Sequence, residues 1–108
     1  MTPTPETPGS VVTGTSDEAE RRAAAQRRVA NRLRRARGQL DAVITAVESG
    51  TSCRDVVTQL AAVSHALHRA GFVVVANAME DCVTEPDKTK NPQGMTTDEL
   101  EKLFLTLA

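Results

Sequence analysis

From Val29 to Val83 apolar side chains return every three or four positions, and one short Ser49-Gly-Thr-Ser52 turn is the only break. That period is the helical one, and it leaves room for nothing but two long helices lying back to back. On the first, Val29, Leu33, Ala36, Leu40, Val43, Ile44 and Val47 form one stripe. Thr15 and Ser16 offer caps, and Asp17, Glu18 and Glu20 suit the positive helix start, so this helix is expected over 17–49 with Gly50 as its stop. Ser52, with Asp55 three residues on, caps the second helix, which makes Cys53 its first residue. Pro86 ends it after Val83, and 88–95 with Pro92 and Gly94 reads as a loop. The Thr96/Glu99 pair then opens a short third helix carrying Leu100, Leu103, Phe104 and Leu107. The Val73-Val-Val75 run is β-branched but sits inside a long helical pattern, so no strand is expected. The predicted fold is all-α, with two long antiparallel helices and a short third.

The core available to such a subunit is thin. The chain has 108 residues, no Trp or Tyr and two Phe, and its apolar stock is Ala, Val and Leu. One small core of this kind favours burial against copies of the same chain. Residues 1–16, rich in Thr, Pro and Gly, read as a disordered tail ahead of a helical domain over 17–108. With no long apolar run and no leader pattern, the reading is a cytoplasmic protein without membrane contact.

Charge divides the chain sharply. Eight of its thirteen basic residues are arginines between Arg21 and Arg37, a stretch without one acid, while the net charge is only -1. Arg21, Arg28, Arg32 and Arg35 share one flank of the apolar stripe, and Arg27, Arg34 and Arg37 share the other. A cationic helix on a mildly acidic body fits a polyanion, and the shortage of aromatic rings points to double-stranded DNA over single strands.

The two cysteines give the second feature. A continuous helix sets Cys53 and Cys82 about 43 Å apart, yet within roughly 20° of the same direction. They cannot meet in one subunit. The side they share reads Cys53, Val57, Leu60, Ser64, Leu67, Gly71, Val75, Ala78, Cys82. Paired antiparallel with a second copy about an axis between Leu67 and His68, it brings Cys53 to Cys82, Val57 to Ala78, Leu60 to Val75 and Ser64 to Gly71. A two-fold interface must complement itself in this way. The bland alternative is two cysteines used as small apolar residues. Cys53, at a helix start beside Arg54, suits the attacking sulfur; Cys82, after Glu80 and Asp81, suits the resolving one. His65 and His68 lie mid-helix, far from Cys53, and read as surface or packing residues.

Asn31-Arg-Leu-Arg-Arg-Ala-Arg-Gly-Gln-Leu-Asp41 resembles the arginine-helix signature of the copper-sensitive operon repressor family. The likeness continues through Glu48–Cys53, Leu67–Arg69, Glu80–Cys82 and Asp98–Leu100, covering about 20–107. The resemblance implies three-helix subunits, an antiparallel helical dimer (or homotetramer, flat in form), and a repressor that leaves operator DNA when an inducer occupies a cross-subunit cysteine site. It carries DNA-binding roles onto Arg32 and Arg69, beside Arg28 and Arg35 on the same flank. Cys53 and Cys82 match the inducer-sensing pair, and Glu99 is the nearest match to a supporting glutamate near the last helix start. Copper sensors of the family place a metal-binding histidine four residues before the second cysteine. Here Ala78 stands there, and alanine cannot bind metal. The family's persulfide sensors also keep both cysteines and lack that histidine, so the site pattern is nearest to theirs. The nickel and cobalt sensors need histidines that are missing before His65, and the formaldehyde sensors need an N-terminal proline, whereas Pro3 follows Thr2.

The expectation is a repressor released when the Cys53–Cys82 pair reacts with sulfane sulfur, without a required cofactor. Cu(I) held by the two thiolates is the alternative. A thiol-dependent enzyme and a purely structural helical adaptor are the rival classes. The chain offers the enzyme no phosphate loop and no Cys-x-x-Cys, and the adaptor would leave the arginine cluster unexplained.

Overall fold

The computed structural model describes residues 6–108, with side chains from Asp17 onward. Three helices follow in order, α1 (Glu6–Glu48), α2 (Cys53–Thr84) and α3 (Thr97–Leu107), and no strand occurs among the described residues. The expected all-α architecture is the observed one. α1 begins at Glu6, so no change of secondary structure marks the boundary expected at Asp17; residues 1–5 of the expected tail lie outside the described residues. Pro8 falls in the first turn of α1, where helix N–H groups have no partner to lose.

The turn between α1 and α2 is built by its backbone. Gly50 sits at φ +73°, a conformation that glycine adopts without steric cost. Thr51 N–H then reaches back to the Ala46 carbonyl at 2.9 Å, closing the helix end. The Ser52 hydroxyl accepts from Asp55 N–H at 3.3 Å and starts α2 at Cys53 as expected. α2 runs without a break from Cys53 to Thr84. At α3 both halves of the capping box form: Glu99 N–H donates to the Thr96 hydroxyl at 3.2 Å, and Thr96 N–H donates to the Glu99 carboxylate at 2.9 Å.

α1 packs along α2, and α3 packs along α2 in turn. Ala36, Val43 and Ala46 of α1 are buried against α2, which turns Val63 and Ala70 inward. At the far end Ala78, Cys82 and Leu100 make a second small core, backed by Val75, Met79 and Met95. Gly71 completes that contact: a Cβ there would come within 2.5 Å of the Leu107 side chain, so α3 rests on bare backbone. The thinnest dimension is 14 Å, hardly more than one helix diameter. One layer of helices cannot enclose its own stripes. Leu33, Leu40, Ile44, Val47, Val57, Leu60, Leu67 and Val74 all stay exposed.

Candidate functional site

At about 100° per residue, Leu33, Leu40, Ile44 and Val47 lie to one side of the buried Ala36–Val43 line of α1. On α2, Val57, Leu60, Leu67 and Val74 lie to the same rotational side of Val63 and Ala70. In antiparallel neighbours the same rotational sense leads to the same face of the pair, and Leu33 and Val74 do line one groove. The hairpin therefore has one apolar face. Arg28 and Arg35 turn about 80° the other way, and Arg69 on α2 about 110° in the same sense, and so define the opposite face. Arg32 sits near the inward line and is half-buried. The α1–α2 register, anchored by the Arg22–Asp81 pair at 3.6 Å, sets Arg32 level with Arg69. Among the described residues, Arg28, Arg32, Arg35 and Arg69 form no ion pair. Arg34, on the other flank, donates to the Asn31 side chain at 2.8 Å.

The structure divides the cysteine face in two. Its first half is open: Cys53 is exposed, and Val57, Leu60 and Leu67 are 56%, 48% and 47% exposed. Its second half is covered by the chain's own α3, through Gly71 on Leu107 and Cys82 under Leu100. Sequence periodicity predicts one uniform seam for a second copy. It misses α3 because a helix of eleven residues, joined by a loop, can dock on any face its length allows. Cys82 is 0% exposed, and its Sγ donates to the Met95 carbonyl at 3.4 Å. Ala78, one turn earlier, is buried beside it.

The loop that carries Met95 is organised by Asn91, a residue the sequence reading left without a role. It is 7% exposed and fully satisfied. Its Nδ2 donates to the carbonyls of Glu85 at 3.1 Å and Met95 at 2.8 Å. Its Oδ1 accepts from Gln93 N–H at 2.9 Å and Gly94 N–H at 2.8 Å. The Asn91-Pro-Gln-Gly94 string is a turn signature and was the available clue.

Glu99 is committed to the α3 cap and pairs with Lys88 at 3.6 Å. The Thr96 N–H holds its carboxyl below the ordinary glutamate value; partial desolvation opposes this, and the nearby Lys88 charge adds a lesser lowering. His68 is exposed and stacks near Phe72, at 6.4 Å between ring centroids, and Phe72 meets Phe104 at 5.5 Å. His65 is exposed.

Residues 25–106 match the metal-sensitive transcriptional repressor family. The chain belongs to that family. It is a family of transcriptional repressors and not of enzymes. Among curated relatives, a copper-sensing transcriptional repressor of Mycobacterium ulcerans is 46% identical over 57 residues, 53% of this chain and 49% of that protein. A copper-sensing transcriptional repressor of Mycobacterium tuberculosis is 41% identical over 59 residues, 55% of this chain and 50% of that protein. The uncharacterized protein YrkD of Bacillus subtilis is 38% identical over 58 residues, 53% of this chain and 92% of that protein. The chain thus spans about half the length of the copper-sensing relatives it matches. No solved structure matches it. No helix among the described residues is long and apolar enough to cross a membrane.

Proposed function

We propose that this member of the family is a DNA-binding repressor that works as an antiparallel assembly of its own copies, and that it leaves DNA when Cys53 of one copy and Cys82 of another react with sulfane sulfur. The observation that carries the inducer is the setting of Cys82. It is buried among Ala78, Leu100, Val75 and the two methionines, with alanine where a metal-binding imidazole is expected. Two thiols at opposite ends of one continuous α2 are what a cross-copy bridge needs.

The chemistry balances with polysulfide as oxidant. A hydropolysulfide passes one sulfur to the Cys53 sulfur and departs one sulfur shorter. The Cys82 thiol of the second copy attacks the inner sulfur and expels hydrogen sulfide, leaving a disulfide. The thiols lose two electrons, and the sulfane sulfur gains them as sulfide. Where both cysteines carry added sulfur, the same condensation leaves a trisulfide, or a tetrasulfide from a longer chain. DNA is held by the Arg28, Arg32, Arg35 and Arg69 face, with guanidinium groups on phosphates and guanine edges.

Cu(I) is the second reading, favoured by the copper-sensing relatives and by the sulfur around Cys82. Met79 and Met95, the only methionines besides Met1, both pack against it. Cys82, Cys53 of a second copy and these thioethers are a soft donor set that suits Cu(I). When bound, the ion would hold the two cysteines together without oxidising them.

Reduced protein bound to double-stranded DNA is treated separately with polysulfide and with Cu(I), and intact mass and DNA release are followed. A covalent dimer joined through Cys53 and Cys82, formed as DNA is released by polysulfide, is the expected result. Release by Cu(I) alone, at a stoichiometric site, would replace the sulfur reading with the copper one.

A further inference from the structure

The interactions around Cys82 do not stop at the thiol. Met95 carries one carbonyl that receives both Cys82 Sγ at 3.4 Å and Asn91 Nδ2 at 2.8 Å. Asn91 also takes the Gln93 N–H, and the Gln93 side chain leaves the loop to donate to the Asp81 carboxylate at 2.8 Å. The other Asp81 oxygen faces the Arg22 guanidinium at 3.6 Å. Arg22 lies at the start of the arginine stretch of α1. An unbroken set of polar contacts therefore runs from the buried sulfur, through one loop, to the helix that carries the DNA-binding charge. Every contact but the last involves the 85–96 segment.

We propose that this loop is a latch in which Asn91 and Gln93 are positioning residues: Asn91 holds the Met95 carbonyl over the Cys82 thiol, Gln93 holds Asp81 and through it Arg22, and Cys82 reacts only when the Asn91 end lets go, a release that draws Gln93 off Asp81. The inference rests on the repressor reading above and adds its order and its coupling. Cys53 is open and reacts first. Cys82 has no exposed surface, so a sulfur atom reaches it only after Met95 and Leu100 move aside. That movement withdraws Gln93 from Asp81 and loosens the start of the arginine stretch against α2. A set of arginines without a fixed spacing binds DNA less well than one held in register. Coupling of this kind is reciprocal: DNA that holds the arginine stretch in place must also hold the latch shut.

The order and the reciprocity are both measurable on the full reduced chain with N-ethylmaleimide, reading each cysteine by mass after digestion. In wild type Cys82 is expected to react at least about tenfold more slowly than Cys53, since a buried thiol waits on local opening. A double-stranded fragment from upstream of the chain's own coding sequence should slow Cys82 further and leave Cys53 unchanged. Gln93→Ala cuts the tie to Asp81 and leaves Asn91 in place, so Cys82 should stay slow but lose its response to DNA. Asn91→Ala should raise the Cys82 rate about tenfold or more toward that of Cys53. Circular dichroism of both variants separates this from general unfolding, which would also free Cys82 but would cost the helical signal. DNA protection that persists in Gln93→Ala would be simple shielding and would overturn the coupling. Equal rates for Cys82 and Cys53 in wild type would overturn the latch itself. If wild type binds no DNA, the repressor reading fails with the coupling built on it, and the Asn91→Ala rate alone decides the Cys82 end: faster supports it, unchanged overturns it.

Discussion

The arginines show how far one side chain's position predicts its task. Arg32 and Arg34 are two residues apart in a run that looks uniform, yet helical geometry separates them by about 160°. Arg32 faces the flank shared with Arg28 and Arg35, level with Arg69, while Arg34 is turned away and donates to Asn31. Replacing Arg32 by alanine is expected to weaken DNA binding and to lower the steepness of the log–log salt dependence by about 0.9, one phosphate contact. Arg34→Ala should leave both nearly unchanged. A salt titration of each variant checks the pair, and equal losses in the two would contradict the assignment of faces. That Arg28, Arg32 and Arg35 share one flank of α1, and Cys53 and Cys82 one side of α2, was legible in the sequence because each follows from phase along a single helix; the α3 cover over Cys82 was not. Asn91 was not, since its worth lies in four loop and helix-end partners that no period connects.

At the scale of elements, the caps of α2 and α3 were legible and the docking was not, while Thr15 and Ser16, expected to cap α1, fall inside it because α1 begins at Glu6. Ser52 and Thr96 announce the starts of α2 and α3 by local pattern alone, and both make the expected bonds. That α3 folds back onto Gly71, Ala78 and Cys82 depends on side chains in different elements fitting together, above all Leu100 in the Cys82 core and Leu107 over Gly71. Gly71→Val should therefore lift the C-terminal turn of α3, seen as faster amide exchange across α3 with α1 unaffected. The cap adds a pH dependence. Glu99 has its carboxyl lowered by the Thr96 N–H and the Lys88 charge. A carboxyl lowered on folding contributes its stability above the ordinary glutamate range and loses it as pH falls through the lowered value. Acidification should thus fray the first turn of α3 while α2 remains helical, and Glu99→Gln, which keeps the hydrogen-bonding geometry without the charge, should flatten that response. Amide exchange of α3 between neutral pH and pH about 3 reads both.

The whole molecule is a sheet of helices one layer deep, and its two broad faces have opposite character. One carries Arg28, Arg35 and Arg69; the other carries exposed Leu33, Leu40, Ile44 and Val47 from α1 with Val57, Leu60 and Leu67 from α2. Exposed apolar residues are ordinary when scattered, but a continuous row along both long helices is not. Covering it with a second copy related by a two-fold axis satisfies the row, and it leaves the arginine faces of both copies outward. The same pairing sets Cys53 of one copy toward the Cys82 end of the other, so the assembly and the proposed sensor stand or fall together. Leu60 and Leu67 lie near the proposed axis and far along α2 from Cys82; Leu67 stands one helical turn before Gly71, where the α3 contact begins. Burying a leucine is worth about 2 kcal/mol, and the axis uses each position twice, so Leu67→Asp should weaken the pairing by well over a hundredfold. Sedimentation velocity should then show single helical chains at concentrations where wild type is assembled. Cys82 alkylation in the variant should remain slow, because its cover comes from the same chain. Polysulfide should add sulfur to Cys53 without forming a covalent dimer. If Leu67→Asp still assembles and still bridges, the apolar face is not the interface, and the cross-copy site must be sought elsewhere on the molecule.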